Sequence, residues 1–297
     1  MSEPLAVVVS RAGVVEARHR VHAVAVHGGR TVLAAGDPAL VTFLRSAAKP
    51  IQALPLVRAR PDLDDSEIAI ACASHLADPE QLEAVRRLLA AAPATEDELE
   101  CGPEPTRLRH NCSGKHAGFL AVCRARGWPS AGYRLPEHPL QQEILREIAA
   151  LADVDPASVP LGVDGCGVPT FAFTLERIAF AFSRLAELDS APRALGAMRA
   201  YPDLIRGPLA ADSMLMRTVP GWAAKGGAEG LLVACSADGI GLVLKVEDGD
   251  QRAVGPALAV ALRRLGVDPA PELGVVIVEN SRGENVGVIR SDSPEST

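Results

Sequence analysis

Arg45-Ser46-Ala47-Ala48-Lys49-Pro50 sets a serine and a lysine three residues apart. On a helix that spacing puts both side chains on one face, so Lys49 Nζ can reach Ser46 Oγ. A serine hydroxyl becomes a useful nucleophile when a base removes its proton. A lysine can be that base if burial or a nearby cation lowers its pKa. Pro50 is tolerated in a first helical turn. That places Ser46 near a helix N-terminus, where the positive dipole end favours a developing oxyanion. Ser-x-x-Lys also arises often by chance on solvated surface. Here Phe43, Leu44, Ala47, Ala48, Ile51 and Leu54 surround it and predict a buried helix. A buried lysine without a partner is costly, which favours a chemical role.

Two further segments concentrate functional groups. His110-Asn111-Cys112-Ser113-Gly114-Lys115-His116-Ala117-Gly118 and Gly162-Val163-Asp164-Gly165-Cys166-Gly167-Val168-Pro169-Thr170 each set a cysteine among glycines and polar residues. Glycines let the backbone approach a ligand closely. Spacing alone gives no C-x2-C pair and no H-E-x-x-H. Two cysteines with His110 or His116 could hold a soft divalent metal. The competing reading, which spacing favours, is two buried thiols and two loop-capping histidines. Ser113-Gly114-Lys115 lacks the first glycine of a phosphate-binding loop, so a nucleotide site is discounted.

The chain that must position these groups has 297 residues, with 30 Lys+Arg against 37 Asp+Glu and a net charge of −7. That balance argues against a nucleic-acid backbone binder. Aromatic residues make up only 3%, too few for base-stacking platforms. The hydrophobic share of 48% is ample for a core and excludes a mainly disordered chain. No apolar run reaches membrane-spanning length, and the N-terminus lacks the basic and apolar regions of a signal peptide. A cytoplasmic protein is expected, with no membrane partner. Cys72, Cys101, Cys112, Cys123, Cys166 and Cys235 are then free thiols, most of them packing as small hydrophobes.

Strands are predicted at Leu5–Ser10, at Val21–His27 and Thr31–Ala35 around a Gly28-Gly29 turn, and at Ile68–Cys72. Asp78-Pro79-Glu80-Gln81 reads as a helix start, followed by Leu82, Val85, Leu88 and Leu89 at helical spacing. Pro139 opens a second helix carrying Leu140, Ile144, Ile148 and Leu151 on one face. Residues 171–187, 191–200 and 256–265 read as helical. Leu231–Cys235, Ile240–Val246 and Gly274–Val278 return to strand, and the tail Ser291–Thr297 is expected to fray. Strands at both ends and helices between them predict an α+β fold. One domain spanning 1–297 is expected, with an α/β lobe of roughly 1–75 and 216–297 and a mainly helical lobe of roughly 76–215. The terminal strands should meet in one antiparallel sheet.

Several of these segments together resemble one family. Arg45 to Pro55, Cys72-Ala73-Ser74-His75, Asn111 to Phe119 and Asp164-Gly165-Cys166 are similar to the type II L-asparaginases of the rhizobial kind. Glu137-His138-Pro139, Ala224 to Gly230 and Leu244 to Gly249 fit in the same order, so the resemblance runs from about residue 10 to 265. It implies a fold similar to serine β-lactamases and penicillin-binding proteins, and Lys225-Gly226-Gly227 is similar to their Lys-Thr-Gly strand with Gly226 in place of Thr. It implies hydrolysis of L-asparagine by two Ser–Lys pairs, Ser46 with Lys49 and Ser74 with Lys245. Ser46 would attack the amide, Lys49 would take its proton, and Ser74, held by Lys245, would relay a proton to departing ammonia. The resemblance further implies one Zn²⁺ per chain on Cys112, Lys115 and Cys166, a homodimer, and a substrate held by Arg45 and Asp164, with His116 orienting nearby groups. A lysine ligand would not be chosen from spacing. The chain departs from the family at Leu232, where a further cysteine is expected; Cys235 lies close but out of register. Alternatives are a glutaminase or other small-amide hydrolase, a penicillin-recognising serine enzyme, and a non-catalytic zinc-stabilised binding protein.

Overall fold

The computed structural model describes residues 2–292. Eleven strands are named: β1 (Leu5–Arg11), β2 (Val14–His27), β3 (Arg30–Ala35), β4 (Val41–Phe43), β5 (Leu161–Val163), β6 (Pro169–Thr174), β7 (Trp222–Gly226), β8 (Leu231–Ser236), β9 (Ile240–Val246), β10 (Val275–Glu279) and β11 (Asn285–Ser291). The expected tail from residue 293 lies outside the described residues, while Ser291 belongs to β11. The chain divides into two compact units, one of residues 1–42, 174–183 and 209–297 and one of residues 43–173 and 184–208.

The first unit is built on an antiparallel sheet with strand order β10-β11-β1-β2-β9-β8-β7, β3 pairing with β2. N-terminal and C-terminal strands do meet, as β1 against β11 and β2 against β9. Alternation sends Leu5, Val7 and Val9 of β1 and Val21, Ala23 and Ala25 of β2 into one core with Leu258 and Leu262 of the helix Val254–Arg264. Each leucine or valine so buried contributes about 1.5–3 kcal/mol. Helix Leu175–Arg184 crosses β9 at Gly241, where a Cβ would stand 2.0 Å from the Ala179 carbonyl oxygen. Leu232 is part of the core, and Cys235 pairs with Gly241 and Ala223 in the sheet.

The second unit is mainly helical. Helices Asp65–Ala71, Pro79–Ala91, Ser113–Arg126, Pro139–Ala152 and Ala191–Ala200 bury Ile68, Ile70, Leu88, Phe119, Ile144 and Ile148. Its short hairpin pairs Leu161 with Phe171 and Val163 with Pro169. The predicted starts at Asp78 and Pro139 are both present; the Gln81 side chain accepts from Asp78 N–H, and His138 caps the second helix by accepting from Leu140 N–H.

Three expectations need correction. The apolar run Ile68–Cys72 is helix, because Asp64 and Glu67 close a capping box ahead of it. The stretch 171–187 is split: Pro169–Thr174 is strand and the helix begins at Leu175. The helical unit begins at Phe43 instead of residue 76, because the segment Arg45–Ala59 and helix Asp65–Ala71 pack among its helices.

Two glycine substitutions test the packing. A Cβ at Gly114 would stand 2.1 Å from the Ile70 carbonyl oxygen, whereas one at Gly196 meets nothing within 4 Å in helix Ala191–Ala200. Gly114→Ala should cost about 1–3 kcal/mol, and Gly196→Ala should gain roughly 0.4–1 kcal/mol. Thermal unfolding of the two variants checks the opposite signs.

Candidate active site

Ser46 and Lys49 do not lie in a regular α-helix. Arg45–Ala48 is a single 3₁₀ turn, followed by the short helix Lys49–Gln52 that accommodates Pro50 near its start. A 3₁₀ turn eclipses positions three apart, so the two side chains still share a face. The expected dipole of a long helix is absent here, since neither piece exceeds four residues. Arg45 enters the turn at φ 49, a left-handed conformation that costs a non-glycine residue energy. Its N–H is held by Thr170 Oγ1 at 2.9 Å and its Nε donates to Asp164 Oδ1 at 2.6 Å.

Lys49 is wholly buried. Its ammonium donates to the Ala73 carbonyl and, at 2.9 Å, to Ser74 Oγ. Among the described residues no hydrogen bond joins Lys49 to Ser46. Burial pushes the Lys49 pKa down, opposed by Cys112, whose sulfur also accepts from it, and by Cys166, and assisted by the Lys115 charge. Ser74 is fixed by its own N–H on the Ile205 carbonyl at 2.8 Å. It is nearly inaccessible, at 4% exposure, while Ser46 is half-buried.

The cysteine segments converge beside Lys49. Cys112 precedes helix Ser113–Arg126, and the close approach of Gly114 to Ile70 sets that helix against Asp65–Ala71. Cys166 sits in the turn Asp164-Gly165-Cys166-Gly167, closed by Gly167 N–H on the Asp164 carbonyl at 2.8 Å with Gly167 at φ 85. Lys115 Nζ lies 3.0 Å from Cys166 Sγ, and the Cys166 thiol donates to the Cys112 sulfur. The Cys166 hydrogen bond, against burial and with Lys49 and Lys115 nearby, holds Cys112 well below the usual thiol range. The same bond and burial push Cys166 up. Burial opposes the charge on Lys115, but the two cysteines and Asp164 raise its pKa.

Among the described residues no group of three His, Cys, Asp or Glu could hold a metal. The cluster present is two sulfurs and one amine, a soft donor set that matches zinc. Of the two candidate histidines, His110 touches the cluster at Cys112 and His116 does not. His110 Nδ1 accepts from Cys112 N–H at 3.0 Å. His116 is fully buried, with Nδ1 2.8 Å from Tyr133 Oη and Nε2 lacking a hydrogen-bond partner. Tyr133 Oη also accepts from Glu100 N–H at 2.7 Å, which ties His116 to the backbone at Glu100.

Tyr133 and Ser113 escaped sequence reasoning. Ser113 Oγ receives His75 Nε2–H at 2.8 Å, since His75 Nδ1 accepts from Ala77 N–H. Burial and the Lys49 charge lower the His75 pKa to about 4. Its place beside Ser74 in the sequence was the available signal; nothing in the sequence singled out Tyr133.

Lys245 lies in the other unit, on β9, where Nζ donates to the carbonyls of Glu229 at 2.7 Å and Val246 at 2.6 Å. Burial lowers its pKa, opposed by Glu229, Asp248 and Glu247. Lys225 on β7 is wholly buried, with Nζ 2.6 Å from the Gly226 carbonyl and 3.7 Å from Asp212 Oδ2.

No curated protein matches the chain. Among solved structures, a β-lactamase from Sphaerobacter thermophilus is similar with a TM-score of 0.45 at 15% identity, over 85% of this chain and 94% of that one. A probable glutaminase from Bacillus subtilis is similar with a TM-score of 0.40 at 15% identity, over 84% of this chain and 89% of that one. The model of the L-asparaginase II family matches residues 7–291. The chain therefore belongs to the L-asparaginase II family and is an amidohydrolase of the asparaginase type.

Proposed function

We propose that this L-asparaginase works through a serine acyl-enzyme, with Ser46 as nucleophile and Lys49 as its base. The observation that carries the reading is the wholly buried Lys49 amine 2.9 Å from Ser74 Oγ, one turn from the half-buried Ser46. Ser46 Oγ adds to the side-chain amide carbon of L-asparagine while Lys49 takes the hydroxyl proton. Ser74 gives its proton to the departing nitrogen and regains one from Lys49, so ammonia leaves and an aspartyl ester remains on Ser46. Water then attacks the ester with Lys49 again as base, and L-aspartate is released. Lys245 remains the proposed second lysine for Ser74.

The ion pair of Arg45 with Asp164 offers opposite charges to an amino-acid zwitterion. The α-carboxylate would take Arg45 and the α-ammonium Asp164, leaving the amide toward Ser46. His116, locked by Tyr133, orients the base of this pocket. Glutamine differs by one methylene, worth only ~1–3 kcal/mol of discrimination, so glutaminase is the neighbouring activity. The penicillin-recognising and non-catalytic readings gain no specific support.

Cys112, Lys115 and Cys166 are the residues that would hold Zn²⁺. When bound, the ion would neutralise the thiolates, favour the unprotonated Lys115 amine and tie the Asp164–Gly167 turn to helix Ser113–Arg126. We further propose a cytoplasmic homodimer. Among the described residues no helix is long and apolar enough to cross a membrane.

Ser46→Ala and Lys49→Ala should each lower kcat for L-asparagine at least roughly 10³-fold while the circular dichroism spectrum is kept; an active Lys49→Ala would contradict the mechanism. Lys245→Ala should lower kcat for L-asparagine at least roughly tenfold, and an unchanged kcat would remove Lys245 from the proposed pair with Ser74. Asp164→Asn should raise KM for L-asparagine about tenfold or more and change kcat less. Plasma mass spectrometry of the purified protein should find about one zinc per chain, and Cys166→Ser should lose most of it.

A further inference from the structure

One edge of the sheet in the first unit is left open in an unusual way. β10 ends the strand order, and among the described residues no strand pairs with its outer side. The strand at the other end, β7, is buried along all five residues. β10 instead exposes Val275 at 44%, Val276 at 38% and Ile277 at 46%. Natural sheets usually blunt such an edge with lysine, proline or a bulge in the edge strand. Val275-Val276-Ile277-Val278 has none of these; the register shift against β11 places the extra residue, Val286, on β11.

The two faces of β10 differ. Val276 lies across from the core residue Ile289, and Val278 packs against the core. Val275 and Ile277 therefore point to the other face, beside Arg290 and Val288 of β11. That face adds the half-buried Val286 and Val288 to the exposed Val275 and Ile277. Glu279 stands on the same face at the end of the strand. Neither Glu279 nor Arg290 forms an ion pair with another described residue.

We propose that β10 is the dimerisation strand: it pairs antiparallel with β10 of a second copy across a twofold axis at Ile277. An antiparallel pair of one strand with itself is self-complementary, as a twofold interface must be. Centring on Ile277 sets each Val276 opposite the partner's Val278 and each Val275 opposite the partner's Glu279. Arg290 flanks Val275 on the inner side. The partner's Glu279 thus lies two strands away, roughly 10 Å between backbones, within reach of two long side chains on one face. The charge pair forms twice, once on each side of the axis, and no other centring on the strand supplies it. The two sheets become one continuous sheet, and the free N–H and C=O groups of both edges are satisfied.

The inference gives the homodimer its surface, and it is independent of the amide chemistry. Sedimentation equilibrium of the full chain over a concentration series tests it. The wild type should be a dimer. Ile277→Lys places two like charges at the axis and should raise the dissociation constant at least roughly thirty-fold, with thermal unfolding still cooperative. Glu279→Arg should weaken the dimer, and adding Arg290→Glu in the same chain should restore it, a rescue that simple misfolding would not give. A monomeric wild type would overturn both the dimer and its surface. A dimer unmoved by Ile277→Lys, or one lost on removing residues 293–297, would overturn this surface. Ammonia release by the Ile277→Lys monomer reports on the acyl-enzyme reading separately.

Discussion

Lys49 carries its amine into the interior with no solvent contact, and the helical unit is arranged around that fact. An isolated ammonium there would be very costly, so the acceptors must be brought to it. They are the Ala73 carbonyl and the Ser74 hydroxyl, adjacent in one segment, and the Cys112 sulfur from another. Burial meanwhile lowers the amine's hold on its proton, which is the property a base for Ser46 requires. The same constraint that makes the site expensive to build makes it able to move a proton.

Each neighbouring segment is shaped to hold that arrangement. Gly114 allows helix Ser113–Arg126 to approach the Ile70 carbonyl, which delivers Cys112 and Lys115 together. Gly167, at positive φ, closes the turn that presents Cys166 and Asp164 on one loop. Arg45 accepts a left-handed conformation because Thr170 and Asp164 fix its backbone and side chain. Two lysines, Arg45, two cysteines and one carboxylate are thereby gathered. The zinc proposal follows the same logic: sulfurs and an amine held this close are either hydrogen-bonded to one another or joined by a soft cation.

Much of this was readable from residue types. The Asp78 and Pro139 helix starts, the Gly28-Gly29 hairpin and the pairing of terminal strands follow from local rules, and they hold. Ile68–Cys72 is ambiguous by itself because a short apolar run fits a buried strand and a buried helix equally; the Asp64–Glu67 box ahead of it decides for helix. The Ser46–Lys49 spacing was legible, but the partner of Lys49 in the fold is Ser74, twenty-five residues on in sequence, and no local pattern predicts that. Lys115 entered only through the family resemblance, because lysine is not read as a ligand from spacing. Tyr133 was invisible, since its role is a tertiary contact with His116 and Glu100.

The central claim is that an ester forms on Ser46 during turnover of L-asparagine. Rapid acid quench of the enzyme with saturating substrate, followed by peptide mass mapping, tests it directly, with the Lys49→Ala variant as control. The account predicts an aspartyl adduct on the peptide containing Ser46 in the wild type and none in the variant. An adduct on Ser74, or steady turnover with no adduct on either serine while a slow-leaving ester substrate also fails to label them, would contradict it.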